Sequence, residues 1–217
     1  MDKDEFYRDI IEGLGIYYDS ALIADLAKTL ESPAPADLGA ALNRNQMRGK
    51  KWLVDQLVAT LDPAPRRVLI LGGWYGVLAA LLLNDERLAI EQVTSLDLNP
   101  ECRPVALSIN RGAAAAGRFT AVTGDMLAFD YRGDVAPGTV IVNTSCEHLP
   151  DFPAWYQCVP AGSPLVLQSN DYYSVAEHVN CVPDLPAFRC QVMLSETWFS
   201  GGLPLKKCTR FMLIGRK

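Results

Sequence analysis

The stretch Val68-Leu-Ile-Leu-Gly-Gly-Trp-Tyr-Gly-Val-Leu-Ala-Ala-Leu-Leu-Leu83 decides how the rest of the chain is read. Val68 to Leu71 are four apolar residues in a row, the pattern of a strand buried on both faces. Glycines punctuate the next five positions, and the apolar pattern of a helix follows. A strand that turns through glycines into a helix leaves backbone N–H groups at the helix start, where a polar ligand head can sit. A second apolar run, Val93-Thr-Ser-Leu-Asp97, ends in an acid 21 residues after Gly76. In nucleotide-binding α/β folds an acid at about that spacing takes ribose hydroxyls. Together the two features suggest a site for an adenosine-containing cofactor.

Outward from this core the signals alternate. Strands are expected over Arg67–Leu71, Gln92–Asp97, Arg118–Thr123, Thr139–Asn143 and Pro164–Gln168. Helices are expected over Tyr75–Asn84, Cys102–Gly112, Phe152–Cys158 and Tyr173–Val179. Such alternation implies a mostly parallel sheet with helices on both faces. Phe188–Phe199 and Cys208–Arg216 read as two strands joined by Ser200-Gly-Gly-Leu-Pro204, an antiparallel hairpin at the sheet edge. Ahead of the sheet, residues 4–31 and Arg44–Leu61 carry helical periodicity, separated by Ser32-Pro-Ala-Pro-Ala-Asp37. The expected organisation is a helical cap over 1–64 followed by a Rossmann-like domain over 65–217.

Composition narrows the class. The 217 residues are 49% apolar and 21% charged, enough for one sizeable core and unlike a disordered chain. The longest apolar run, Val77–Leu83, is far short of a bilayer span, and Met1-Asp-Lys-Asp-Glu-Phe6 is too acidic for a signal peptide. A cytoplasmic location is expected, with no membrane contact. A net charge of −5 disfavours a nucleic-acid partner, so Arg44, Arg48, Lys50 and Lys51 read as a solvated helix face. The six cysteines form no CxxC pair and read as buried thiols. Nothing distinguishes a monomer from a homodimer.

Five parallel strands followed by an antiparallel pair resemble class I S-adenosylmethionine-dependent methyltransferases, over roughly residues 65–217. Val68–Gly76 resembles that family's first motif, which implies that Gly72, Gly73, Trp74, Tyr75 and Gly76 hold the methionine half of S-adenosyl-L-methionine. Ser95-Leu-Asp-Leu-Asn-Pro100 resembles the second, with Asp97 on the ribose and Leu98 beside it. Val122-Thr-Gly-Asp-Met126 resembles the third: Gly124 would border the cofactor, Asp125 would face the adenine amino group, and Met126 would pack on the ring. Ile141 to Asp151 resembles the fourth region, where Asn143 would contact cofactor or acceptor. Its Glu147-His-Leu-Pro-Asp151 end is similar to the branch of ubiquinone-biosynthesis O-methyltransferases. The chain departs from the first motif in two places: Ile70 stands where an acid is usual, and Trp74 replaces the middle glycine. Gln46 is a candidate substitute for the lost polar partner, and Lys50 lies one helical turn on.

The resemblance implies methyl transfer to an O or N atom of a small molecule. His148, with Glu147 beside it, falls just past the fourth strand and is the candidate general base. His178, after Glu177, reads as a surface residue or as one that packs behind the site. The two Glu-His pairs have metal-binding chemistry, but nothing in the sequence brings them together, so no metal is expected. Ser169 to Tyr173 are candidates for the acceptor pocket, as are aromatics including Tyr17 and Tyr18. Two alternatives stay open: transfer of an aminocarboxypropyl or aminopropyl group on a related fold, as in nicotianamine- and polyamine-type synthases, or a non-catalytic cofactor-binding subunit.

Overall fold

In the computed structural model, residues 3–18, 20–31 and 37–217 are described. Tyr17 and Tyr18 fall outside the residues whose side chains are described. Seven strands form one sheet in the order β3-β2-β1-β4-β5-β7-β6. These are β1 (Arg67–Leu71), β2 (Gln92–Asp97), β3 (Phe119–Thr123), β4 (Val140–Asn143), β5 (Pro164–Asn170), β6 (Glu196–Pro204) and β7 (Thr209–Arg216). β1 to β5 pair in parallel, and β7 pairs antiparallel with both β5 and β6. The fold is therefore the Rossmann-like, seven-stranded architecture that the sequence suggested.

Helices cover both faces. They are α1 (Lys3–Tyr18), α2 (Ala21–Glu31), α3 (Leu38–Ala41), α4 (Arg44–Thr60), α5 (Val77–Leu83), α6 (Cys102–Ile109), α7 (Arg111–Ala115), α8 (Phe152–Cys158) and α9 (Leu185–Val192). A 3-10 turn spans Cys146–His148. Alternation in the strands splits the core in two. Val68, Ile70, Val140, Val142, Val166, Met212 and Ile214 meet α4, α5 and α6 on one face. Leu69, Leu71, Ile141, Leu165, Leu167, Phe211 and Leu213 meet α8 and α9 on the other. Buried on both sides, the inner strands read as unbroken apolar runs, as parallel strands do.

Five expectations change. The periodic stretch 4–31 forms two helices, and the helix expected over Cys102–Gly112 ends at Ile109, with α7 starting at Arg111. Tyr173–Val179 forms turns rather than a helix. Phe188–Phe199 is strand only from Glu196, where β6 begins: ahead of it Asp184 accepts the Ala187 N–H at 2.8 Å and caps α9, with Pro186 in its first turn. Ser200–Pro204 lies inside β6, and the hairpin turns instead at 205–208, where Leu205 N donates to Cys208 O at 2.8 Å. Gly201 and Gly202 tolerate the strand because Phe199 and Phe211 side chains cover them.

Chain order explains where a ligand can enter. The chain builds β1, β2 and β3 outward in one direction and returns to build β4 and β5 in the other. The loops leaving β1 and β4 diverge, which opens a crevice at the carboxyl ends of these two neighbours.

Candidate functional site

A cavity of about 800 Å³ fills this crevice. Gly72, Gly73 and Trp74 from the loop after β1 line it, with Asp97 and Leu98 after β2, Gly124, Asp125 and Met126 after β3, and Gln46 and Lys50 from α4. Glu147 and His148 from the 3-10 turn line it as well, with Tyr172 and His178 from the segment after β5.

The glycines are explained by crowding. Gly72 has φ +64°, and a Cβ there would come within 2.5 Å of Ser145 Oγ. At Gly73 a Cβ would overlap Ser95 Oγ. Gly76, also left-handed at φ +72°, starts α5 and has Asn110 Nδ2 against it. Trp74 has a left-handed backbone, with φ +49°, uncommon for a residue other than glycine. Its indole stacks on Tyr75, centroids 5.1 Å apart, at the wall of the cavity.

Three amides of the loop itself are already engaged. Gly73 N donates to Leu96 O, Gly76 N to Gly73 O, and Trp74 N to Asp97 Oδ2 at 2.7 Å. Asp97 Oδ1 accepts from Asn99 N at 3.0 Å. Asp97 thus ties the loop after β1 to the end of β2 while lining the cavity. At Gly72 and Gly73 the loop offers a ligand close backbone approach.

Three candidates lie outside the cavity lining. Tyr75 is buried, donates its hydroxyl to Asp37, and has its pKa pushed up to about 12, first by burial and then by Asp37. Gly76 is taken up by the start of α5. Asn143 is fully buried: its Oδ1 accepts from Ser145 N at 2.9 Å, and its Nδ2 faces Met126 Sδ at 3.6 Å. It shapes the loop after β4 and steadies Met126. Tyr131 holds the same residue from the other side, donating to Met126 O at 2.7 Å.

The opposite end of the cavity is cationic. Lys50 Nζ donates to Gln46 Oε1 at 2.8 Å, so it is no part of a freely solvated face. Its pKa is lowered to about 8, first by burial and then by Arg210. Arg210 from β7 and Lys207 from the hairpin turn also line the cavity. Lys207 Nζ sits 6.0 Å from the Tyr172 ring centre. Neither cation was singled out in the sequence, where Arg210 reads as the polar start of a strand. Of Ser169–Tyr173, Asn170 and Tyr172 reach the cavity; Asp171 instead accepts Thr209 N at 2.7 Å, and Tyr173 points to solvent.

His178 is half-buried and lines the cavity. The segment after β5 folds back, with Asn180 N donating to Glu147 O and Asn180 Nδ2 to Cys146 O, both at 2.9 Å. This stacks His178 edge-on against His148, ring centres 4.6 Å apart. The two Glu-His pairs, distant in sequence, therefore meet. Glu147 does not orient His148: its Oε1 accepts from Asn170 Nδ2 at 2.6 Å, and His148 Nδ1 faces Glu177 O at 3.1 Å. The thiols are less uniform than expected: Cys102 and Cys146 are buried, whereas Cys158 and Cys190 are exposed.

No family model matches the sequence, and no curated protein sequence matches it. Solved structures do share the fold. N-methyltransferase NodS from Bradyrhizobium japonicum WM9, in complex with S-adenosyl-L-homocysteine, superposes with TM-score 0.62 at 12% identity, over 88% of this chain and 98% of that one. TrmK of M. capricolum, also in complex with S-adenosyl-homocysteine, gives TM-score 0.54 at 11% identity over 76% and 67%. The cyclase SpnF gives 0.61 at 11% over 79% and 82%. At these identities the likeness is one of fold alone, the Rossmann-like fold that two methyltransferases and a cyclase share.

Proposed function

We propose that the chain binds S-adenosyl-L-methionine and transfers its methyl group to an O or N atom of a small anionic molecule. The observation that carries this is the single cavity running from Gly72, Asp97 and Met126 to Lys50, Arg210 and His148. Asp97 would hold the ribose, Met126 the adenine face, and Gly72 and Gly73 the close-approaching sulfonium half. Asp125, whose Oδ1 already accepts from Leu127 N at 2.8 Å, would offer its other oxygen to the adenine amino group. Lys50, Lys207 and Arg210 favour an acceptor with a carboxylate or phosphate. The sulfonium is already electrophilic, so the protein's main task is to hold the acceptor in line with the methyl carbon. The acceptor's departing proton leaves at the His148 end, where Nδ1 facing a carbonyl gives Nε2 the lone pair. Transfer to oxygen, as the Glu147–Asp151 stretch suggested, is the narrower form of this proposal.

Calorimetric titration of the whole chain with S-adenosyl-L-homocysteine, NAD⁺ and methylthioadenosine tests the cofactor. One-site binding of the first, tighter than the other two, is the expected result; preference for NAD⁺ overturns it. Labelled cofactor then separates the chemistry, since methyl transfer leaves S-adenosylhomocysteine and aminopropyl-type transfer leaves methylthioadenosine.

A further inference from the structure

We propose that Glu147, His148 and His178 bind a divalent first-row transition ion at the acceptor end of the cavity. One ligating atom from each of the three lies within 4.8 Å of the others. Each histidine has its Nδ1 against a backbone carbonyl: His148 against Glu177 O at 3.1 Å, His178 against Tyr172 O at 2.8 Å. An Nδ1–H so engaged fixes the tautomer and leaves Nε2 as the donor, the usual arrangement behind a metal-bound imidazole. Glu147 is 2% exposed, and while its Oε1 takes Asn170 and lies 3.9 Å from Arg210, its Oε2 is buried with no hydrogen-bond partner. A buried carboxylate oxygen left bare is costly unless something fills its coordination.

The supporting contacts are built to hold this arrangement. Asn180 clamps the His178 segment to the turn carrying Glu147 and His148, and Gln191 Nε2 in turn donates to Asn180 Oδ1 at 2.7 Å. An ion with bonds of about 2.1 Å holds its ligands roughly 3.4 Å apart, a closure within reach of rotation of the solvent-exposed His148. Two imidazoles and a carboxylate suit Zn²⁺, Mn²⁺, Fe²⁺ or Co²⁺ and leave positions open toward the cavity. Resting on the methyl-transfer reading, the role follows, with the His148 Nε2 lone pair on the ion in place of the proton: an acceptor hydroxyl coordinated there would lose its proton to water. Its oxygen pair attacks the methyl carbon, and the C–S bond breaks with its electrons on sulfur.

The test is a Co²⁺ titration of the full chain after chelation and dialysis, without cofactor, followed by visible absorption. One equivalent should bind, with d–d bands and no thiolate charge-transfer band. His178→Ala and Glu147→Gln should each weaken binding at least tenfold while circular dichroism stays unchanged. Absence of saturable binding, a thiolate band, or unaltered affinity in the two folded variants overturns the site. Failure of S-adenosyl-L-homocysteine to bind would overturn the cofactor reading instead, and the Co²⁺ result would stand by itself.

Discussion

At the scale of single residues, Asp97 and Trp74 carry the most. The Asp97 carboxylate serves two backbone amides, Trp74 N and Asn99 N, and lines the cavity beside them. Asp97→Ala should therefore reduce S-adenosyl-L-homocysteine affinity at least tenfold, because hydrogen bonds to a charged group are worth about 1.5–3 kcal/mol each. Calorimetry checks it, and unchanged affinity would separate Asp97 from the cofactor. Trp74 balances two effects. Its left-handed backbone costs a non-glycine residue about 1 kcal/mol or more, and its stack on Tyr75 returns about 0.5–1.5 kcal/mol. Trp74→Gly should thus shift stability by no more than about 1 kcal/mol and still bind cofactor. Binding should quench tryptophan fluorescence in the parent and much less in the variant; a full quench in Trp74→Gly would assign the signal to Trp52, Trp155 or Trp198.

At the scale of elements, α4 shows how local sequence positions a distant site. Asn43 caps it, its side chain accepting from Asn45 N at 2.9 Å and Gln46 N at 3.0 Å. Leu53, Val54 and Leu57 anchor the helix in the sheet core, which turns Gln46 and Lys50 toward the cavity. Asn43→Ala should cost about 1 kcal/mol in urea unfolding, the usual value of an N-cap. A loss under a few tenths would mean that core packing alone fixes the first turn. The strands β1 and β2 and helix α8 were legible to the residue, because apolar runs bounded by glycine, proline or an acid leave little choice of register. α9 was not. Its Phe188 and Val192 fit a strand's spacing as well as a helix's, and only the Asp184 cap and Pro186 tip the balance.

At the scale of the whole molecule, the acceptor end is assembled from α4, the turn after β4, the segment after β5, and β7. Lys50 shows the consequence. Burial and Arg210 hold its pKa near 8 against an ordinary 10.5. Between those pH values the unfolded chain binds more protons at this side chain than the folded one, so its contribution to stability rises with pH across that window. Below about pH 8 the folded protein carries a buried cation near another cation. Lys50→Met should therefore raise the urea midpoint at pH 7, and the gain should shrink by pH 10. A gap that does not change with pH would place Lys50 in open solvent. The same variant should weaken an anionic acceptor without altering cofactor affinity.

The sequence by itself determined the parallel core, its antiparallel edge, and the three strand-end loops at Gly72–Gly73, Asp97 and Gly124–Met126. All of these are written in contiguous residues: buried parallel strands demand apolar runs, and close turns demand glycine. Only the tertiary structure decided that His178 meets His148, that Glu147 is buried with one oxygen bare, and that Lys50 faces Arg210. The reason is physical. Those contacts join residues on separate elements through hydrogen bonds such as Asn180 to Glu147, and no periodicity or motif records which polar side chains a returning loop will bring together.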